Sequence, residues 1–141
     1  MRLLHIGFRV SNLERVVNAY THMAGFKWDN IVEHQQPNGR FKVTHGYTTD
    51  GTEVEFVETL AGTAIDDLVL GDRDGVSHIA FAVDDLDAER ARAQAHGVEV
   101  LGEGDAPRAR WLFLKDPSFG GVLIQLVELH QAEPAKNQVA V

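Results

Sequence analysis

The sequence predicts an α+β fold: two βαβββ modules related by a pseudo-twofold axis and together forming a half-open barrel. Three observations carry this. Residues 5–15, from His5-Ile6-Gly7-Phe8-Arg9-Val10 through Leu13-Glu14-Arg15, return at an offset of 73 as His78-Ile79-Ala80-Phe81-Ala82-Val83 through Leu86. Val54-Glu55-Phe56-Val57-Glu58 returns at an offset of 70 as Ile124-Gln125-Leu126-Val127-Glu128. Both blocks alternate apolar and other residues with the period of two that marks a strand with two different faces. Matched blocks at nearly equal spacing are the signature of a duplicated structural unit.

The elements follow in order. Leu4, Ile6, Phe8 and Val10 form one stripe of a first strand, with Leu3, His5, Gly7 and Arg9 on the other face. Ser11-x-x-Glu14 reads as a capping box that starts a helix, and Gly25 is its stop. Three strands near 27–34, 40–48 and 52–59 complete module one, about residues 1–60. Ala61 to Leu70 reads as a linking helix within a linker of about 61–75, broken at Gly71 and Gly75. Module two, about 76–130, repeats the plan. It has a strand at 76–83, an N-cap at Asp84 or Asp85, a helix ending at Gly97, and strands near 98–102, 110–115 and 121–129. Residues 1–130 thus form a single domain, and 131–141, without an apolar period, are expected to be a flexible tail.

His5, Glu55, His78 and Gln125 each lie on the strand face opposite the stripe that must cover a helix. With two modules packed about a pseudo-twofold, all four point into one shared concave surface. Two imidazoles, a carboxylate and an amide oxygen make a mixed N/O set suited to one divalent ion, Zn, Ni, Co, Mn or Fe. The competing structural reading is an edge strand whose polar face meets water, since a Glu or Gln inside an apolar strand is costly to bury without a partner. The remaining histidines, His22, His34, His45, His96 and His130, have no repeat partner and read as surface residues, His45 least securely.

The totals set outer limits. A chain of 141 residues with 44% apolar content suits one domain with a proper core. It has no cysteine, which removes disulfides, thiolate metal sites and thiol nucleophiles. A formal charge of −8 argues against nucleic acid and anionic membranes as partners. The N-terminus carries no apolar stretch of signal-peptide kind, so a cytoplasmic location is expected.

These residues resemble the vicinal oxygen chelate superfamily, the glyoxalase and bleomycin-resistance fold, over residues 1 to about 129. The most specific elements are the block from His5 to Arg15, the central Glu55, Ser77-His78-Ile79-Ala80-Phe81, and Asp116-Pro117-Ser118-Phe119-Gly120-Gly121-Val122-Leu123-Ile124-Gln125-Leu126. The first half is similar to bacterial glyoxalase I, and the second half, with Ala64-Ile65-Asp66-Asp67-Leu68, to methylmalonyl-CoA epimerase. The resemblance implies a metal acting as Lewis acid on a carbonyl or enolate oxygen while a carboxylate moves a proton on the adjacent carbon. It also implies a small-molecule substrate, an acyl-CoA or a thiol adduct, and a homodimer.

Both families place a Glu where this chain has Gln125, and an amide cannot take up a proton. Epimerases of this kind carry one Gln and one Glu among their ligands, with the Gln in the first module, so this chain resembles that set with the roles exchanged. Glu55 is then the candidate base, with Glu53 as a further carboxylate on the same strand face. Arg9 matches a residue that helps hold glutathione in glyoxalase I, whereas Thr59 stands where those enzymes have a glutathione-contacting Asn. Candidate substrate-binding residues are Arg9, Lys42, Arg110 and Trp111. Arg9, Lys42, Arg108 and Arg110 are equally readable as solvated charges. A second function class is a metal-free antibiotic or metabolite binder using Trp28, Phe41, Tyr47, Trp111 and Phe113 as a stacking surface. A third is an Fe(II) oxygenase built on His5, His78 and one carboxylate.

Overall fold

A computed structural model describes residues 1–130; the expected tail, 131–141, lies outside the described residues. The strands are β1 (Arg2–Arg9), β2 (Lys27–Trp28), β3 (Val32–Gln36), β4 (Gly39–Tyr47), β5 (Glu53–Gly62), β6 (Gly75–Ala82), β7 (Glu99–Ala106), β8 (Ala109–Lys115) and β9 (Leu123–Leu129). The helices are α1 (Leu13–Ala24), α2 (Asp67–Leu70) and α3 (Leu86–Ala95). All nine strands join one mixed sheet in the order β2-β4-β5-β1-β6-β9-β8-β7, with β3 also paired to β4; the sheet is not closed into a barrel.

The sheet order is the repeat made visible. β1 pairs parallel with β5 and β6 parallel with β9, while β4 and β8 run antiparallel to those partners. The two halves meet where β1 and β6 pair antiparallel. Even the register repeats: Gly7 stands opposite Glu55, and Ala80 opposite Gln125. The offsets of 73 and 70 differ only in the chain between the paired strands; the pairing register itself is the same in both modules.

The apolar stripes cover the helices as expected. Val10, Phe26 and Phe56 cluster with Leu13 of α1; Val83, Leu112, Leu114 and Leu126 cluster with Leu86 of α3. Each such fully buried side chain contributes about 1.5–3 kcal/mol. Both helices also start alike. Asn12 Oδ1 accepts from Arg15 N at 3.0 Å, and Asp85 Oδ1 accepts from Ala88 N at 3.1 Å. Glu58 and Glu128 reach from β5 and β9 to accept the first helical N–H, that of Leu13 at 2.6 Å and of Leu86 at 2.9 Å.

Four sequence expectations are corrected. The capping box gives way to Asn12, because Ser11 Oγ turns outward to Asp74 at 2.5 Å. The expected strand 27–34 divides into β2 and β3. Asp29 leaves the ladder between them, donating its N–H to His45 O and accepting from Thr44 Oγ1, both at 2.9 Å. The linking helix shrinks to α2, because β5 runs on to Gly62 opposite Gly39. Strand β7 extends to Ala106, past the expected 102.

Candidate metal centre

β1 and β6 place His5 and His78 on the same open face of the sheet, with their Nε2 atoms 3.2 Å apart. Glu55 reaches between them: Oε1 is 3.4 Å from His78 Nε2 and Oε2 is 3.9 Å from His5 Nε2. One ligand atom from each of the three lies within 4.8 Å of the others, so the group can hold a metal ion. Bonds of about 2.0–2.2 Å to a common ion place neighbouring ligands roughly 3 Å apart, the spacing found here. Gln125 is buried beside them, and its Oε1 has no hydrogen-bond partner. An orphaned buried amide oxygen carries a desolvation cost of about 1–3 kcal/mol, and a cation in reach removes it. The donor set therefore fits a divalent ion.

The other ring nitrogens are also held. His78 Nδ1 is 3.0 Å from Asp66 Oδ1, and Ser77 Oγ contacts the same carboxylate. Because a carboxylate only accepts, His78 Nδ1–H donates to Asp66, so it is the Nε2 proton that would leave to free a lone pair for a metal. Burial pushes His78 down, but Asp66 and Glu55 outweigh it and raise its pKa to about 9. On the other side, His5 Nδ1 lies 3.1 Å from Glu53 Oε2, with the angle unfavourable for a full hydrogen bond.

Room for the His78 ring comes from a single glycine. A Cβ at Gly7 would stand 2.0 Å from His78 Cε1, so the ring lies directly over the β1 backbone. Its other side meets Phe113 edge-on, ring centroids 5.5 Å apart.

Glu55 has a further partner that the sequence reading left on the surface: His45 Nε2 is 3.0 Å from Glu55 Oε2. Burial raises the Glu55 pKa, yet hydrogen bonds from His45 and His78 and the nearby imidazole charge hold the carboxyl well below its usual range. His45 itself is pulled down by burial, but the adjacent carboxylates raise it above the ordinary histidine value. The signal was available. His45 shares a strand face with Phe41 and Val43, and hairpin pairing sets it opposite Glu55.

A cavity of about 960 Å³ opens over this group, reached by Glu55, His78, Gln125 and His45. Of the four candidate substrate-binding residues, only Trp111 lines it. Arg9 is drawn into the linker, where Nε meets Asp67 Oδ1 at 2.9 Å and Nη1 meets Asp72 O at 2.9 Å. Lys42 pairs with Glu14 of α1 at 2.8 Å, and Arg110 with Asp87 of α3 at 2.6 Å, both on the helix side. The expected aromatic surface also divides. Phe41, Trp111 and Phe113 face the cavity. Trp28 packs on Phe26 and Phe56 beneath α1, and Tyr47 is held by Asp29 and Glu53. Thr59 Oγ1 donates to Asp67 Oδ2 at 2.9 Å, inside the linker.

The family model for the Glyoxalase/Bleomycin resistance protein/Dioxygenase superfamily matches residues 4–114. Among curated proteins, lactoylglutathione lyase of Neisseria meningitidis serogroup B is 35% identical over 106 residues, 73% of this chain and 72% of the relative. Lactoylglutathione lyase of Escherichia coli O157:H7 is 29% identical over 133 residues, 91% and 93% of the two chains. Among solved structures, methylmalonyl-CoA epimerase from Mycobacterium tuberculosis shares the fold at a TM-score of 0.75 and 23% identity, covering 92% and 89%. A variant of the Streptomyces coelicolor epimerase, in complex with 2-nitronate-propionyl-CoA, matches at 0.67 and 27%, covering 94% and 97%.

Proposed function

The chain belongs to the glyoxalase/bleomycin resistance protein/dioxygenase superfamily, and from that premise we propose that it is a metal-dependent isomerase or lyase that moves a proton on the carbon next to a carbonyl. The observation that carries this reading is the convergence of His5, Glu55 and His78 beside the orphaned oxygen of Gln125, beneath the cavity. His5, Glu55, His78 and Gln125 would hold the ion, which supplies Lewis-acid polarisation of a substrate oxygen.

Everything else falls to the chain. Glu55 is the only carboxylate of that set, so it takes the proton: the substrate C–H bond breaks and an O–H bond forms on a Glu55 oxygen. His45 donates to Oε2 and so orients the carboxylate. Gln125 has no titratable group near neutral pH and can only ligate or orient. Return of the proton to the same carbon gives an epimerase, as in the structural neighbours. Return to the adjacent carbon gives a lyase of the lactoylglutathione kind.

The test is solvent deuterium uptake followed by NMR, with 2-methylmalonyl-CoA and the glutathione hemithioacetal of methylglyoxal as first substrates. Glu55→Gln is expected to keep the fold and lower exchange by on the order of 10²–10⁴. Exchange at the parent rate in that variant would remove Glu55 as the base. No exchange by the parent, together with a tightly bound aromatic metabolite on purification, would favour the metal-free binder instead. The cavity faces of Phe41, Trp111 and Phe113 are the observation behind that second reading.

A further inference from the structure

His78 is oriented by a residue of the linker, and the linker does not hold itself in place. Asp66 is 4% exposed and accepts from His78 Nδ1 at 3.0 Å, while its backbone stands at the N-cap of α2. A carboxylate at an N-cap ordinarily accepts a helical N–H. That of Asp66 makes no such bond and turns instead to Ser77 and His78. None of the four residues of α2 is buried. A single helical turn with so little apolar contact does not persist alone, so the place of Asp66 depends on what ties the linker down.

Module one supplies the tie. Arg9, two residues beyond Gly7 on β1, donates Nε–H to Asp67 Oδ1 at 2.9 Å, and its Nη1 reaches the carbonyls of Asp72 at 2.9 Å and Arg73 at 3.3 Å. One guanidinium thus bridges the start of α2 and the chain just past its end. The other oxygen of Asp67 accepts from Thr59 Oγ1 at 2.9 Å and Ala64 N at 2.8 Å. The side chains of Arg9 and Asp67 are 12% and 14% exposed, so water does not screen the pair as it screens surface ion pairs. Asp66 and Asp67 are consecutive: fixing the Asp67 side chain from β1 fixes the Asp66 backbone with it. The same strand meets the other partners too. Ser77 Oγ lies 3.2 Å from Gly7 O, and the His78 ring lies over Gly7. Arg9 itself does not line the cavity.

We infer that Arg9 is a positioning residue for the metal centre: through Asp67 it holds Asp66 against His78 Nδ1 and so fixes that imidazole in the orientation of a ligand. A strand of module one thereby sets the histidine of module two. The effect on metal rests on the metal-dependent reading; the clamp on His78 belongs to the chain alone.

Arg9→Ala strips Asp67 of its cation and lowers global stability under any reading, so the test uses two measurements on the folded full chain. The first is NMR of isotope-labelled, metal-free protein. The His78 Nδ1–H resonance, identified by its absence from His78→Ala, is expected to exchange with water faster in Arg9→Ala than in the parent. The second is zinc affinity, read by competition with a chelating dye. Asp66→Ala should weaken zinc binding about 10–100-fold and Arg9→Ala about tenfold, as loss of an outer partner of a ligand does. Combined, the two changes should cost no more than Asp66→Ala alone, because they act along one path. Arg9→Lys keeps a charge for Asp67 without the fork that spans to the Asp72 carbonyl, so it should fall between parent and Arg9→Ala. It also carries both measurements if Arg9→Ala does not fold. Fully additive losses in the double variant overturn the inference. So does parent-like zinc affinity in Arg9→Ala when His78→Ala has lost it, and the metal-dependent reading then stands. If the parent binds no zinc yet Nδ1–H exchange quickens in Arg9→Ala, the metal-dependent reading fails and the clamp stands.

Discussion

The two modules share strand order, register and helix starts, yet they treat their histidines differently. In module one His5 projects from β1 opposite Ala80 of β6, an ordinary neighbour with a Cβ. In module two His78 projects from β6 opposite Gly7 of β1, and its ring fills the space that a side chain there would take. His78 is 1% exposed and tied to a buried Asp66, whereas His5 is 7% exposed beside the half-exposed Glu53. The carboxylate–amide pair is unequal too, with Glu55 in module one and Gln125 in module two. The frame is symmetric, but one histidine is held more deeply than the other, and only module one places a carboxylate at the position where module two has an amide.

The largest effect should come from removing the shared feature. His5→Ala/His78→Ala deletes both imidazoles of a mixed N/O site and is expected to abolish stoichiometric metal by elemental analysis. A full equivalent of metal in the double variant would mean that the ligands are elsewhere. Between the single variants, His78→Ala should lose more affinity than His5→Ala, since only His78 is clamped by a buried carboxylate.

The same asymmetry sets a pH dependence. His78 in the metal-free protein has its pKa raised to about 9, so the imidazolium is bound by Asp66 and Glu55 at neutral pH. A folded value above the unfolded one, about 6.5, means stability fully present below about 6.5 and lost as pH rises through about 9. A metal held at the same Nε2 would have to displace a proton. Apparent metal affinity should therefore climb about tenfold per pH unit up to about pH 9 and then level, provided one proton is released. A flat profile between pH 7 and 9 would show that His78 is already neutral in the metal-free chain.

How much of this was legible in the sequence divides along a physical line. Whatever repeats and alternates is readable: the strand positions of His5, Glu55, His78 and Gln125, both helix-covering stripes, and Gly7 matching Ala80 as the small residue of each first strand. Asp66 was not, because it sits in the linker, where no period exists and conformation is set by tertiary contacts. Asp67 alone accepts from Arg9, Thr59 and Ala64 N. The cap at Asn12 was missed for a similar reason: Ser11 scored equally well locally, and only the distant Asp74 draws its hydroxyl away. His45 differs. Its place on the strand face and its hairpin partner Glu55 are both in the sequence, but it has no repeat mate to mark it out.

Gly7 and Ala80 offer an intermediate effect that tests how the frame became unequal. Gly7→Ala forces a methyl against the His78 ring and should destabilise by about 1–3 kcal/mol, with metal affinity falling as the ring shifts. Ala80→Gly removes a Cβ from a strand and should cost only about 0.5–1 kcal/mol, leaving metal binding intact. Chemical denaturation with and without zinc measures both. Equal losses of metal affinity in the two variants would dissolve the distinction between the histidines.

The smallest effect is expected where the modules are most alike. Glu58 and Glu128 each send a carboxylate from the helix-facing side of a strand to the first free N–H of the helix in the same module. Two things stabilise that contact: a donor that has no partner within the helix is satisfied, and a negative charge sits at the positive end of the helix dipole. Glu→Gln keeps an acceptor oxygen but removes the charge, so only the electrostatic part is lost, about 0.3–1 kcal/mol. Because Asn12 and Asp85 cap the same helices two donors further along, at Arg15 N and Ala88 N, neither helix should unravel. Both variants are therefore expected to shift the urea midpoint slightly, by similar amounts, with unchanged slope and unchanged metal content. The signal specific to this geometry is its salt dependence: the difference from the parent should shrink in high salt for both. A loss confined to one module would show that the repeat is retained in geometry without being retained in energy.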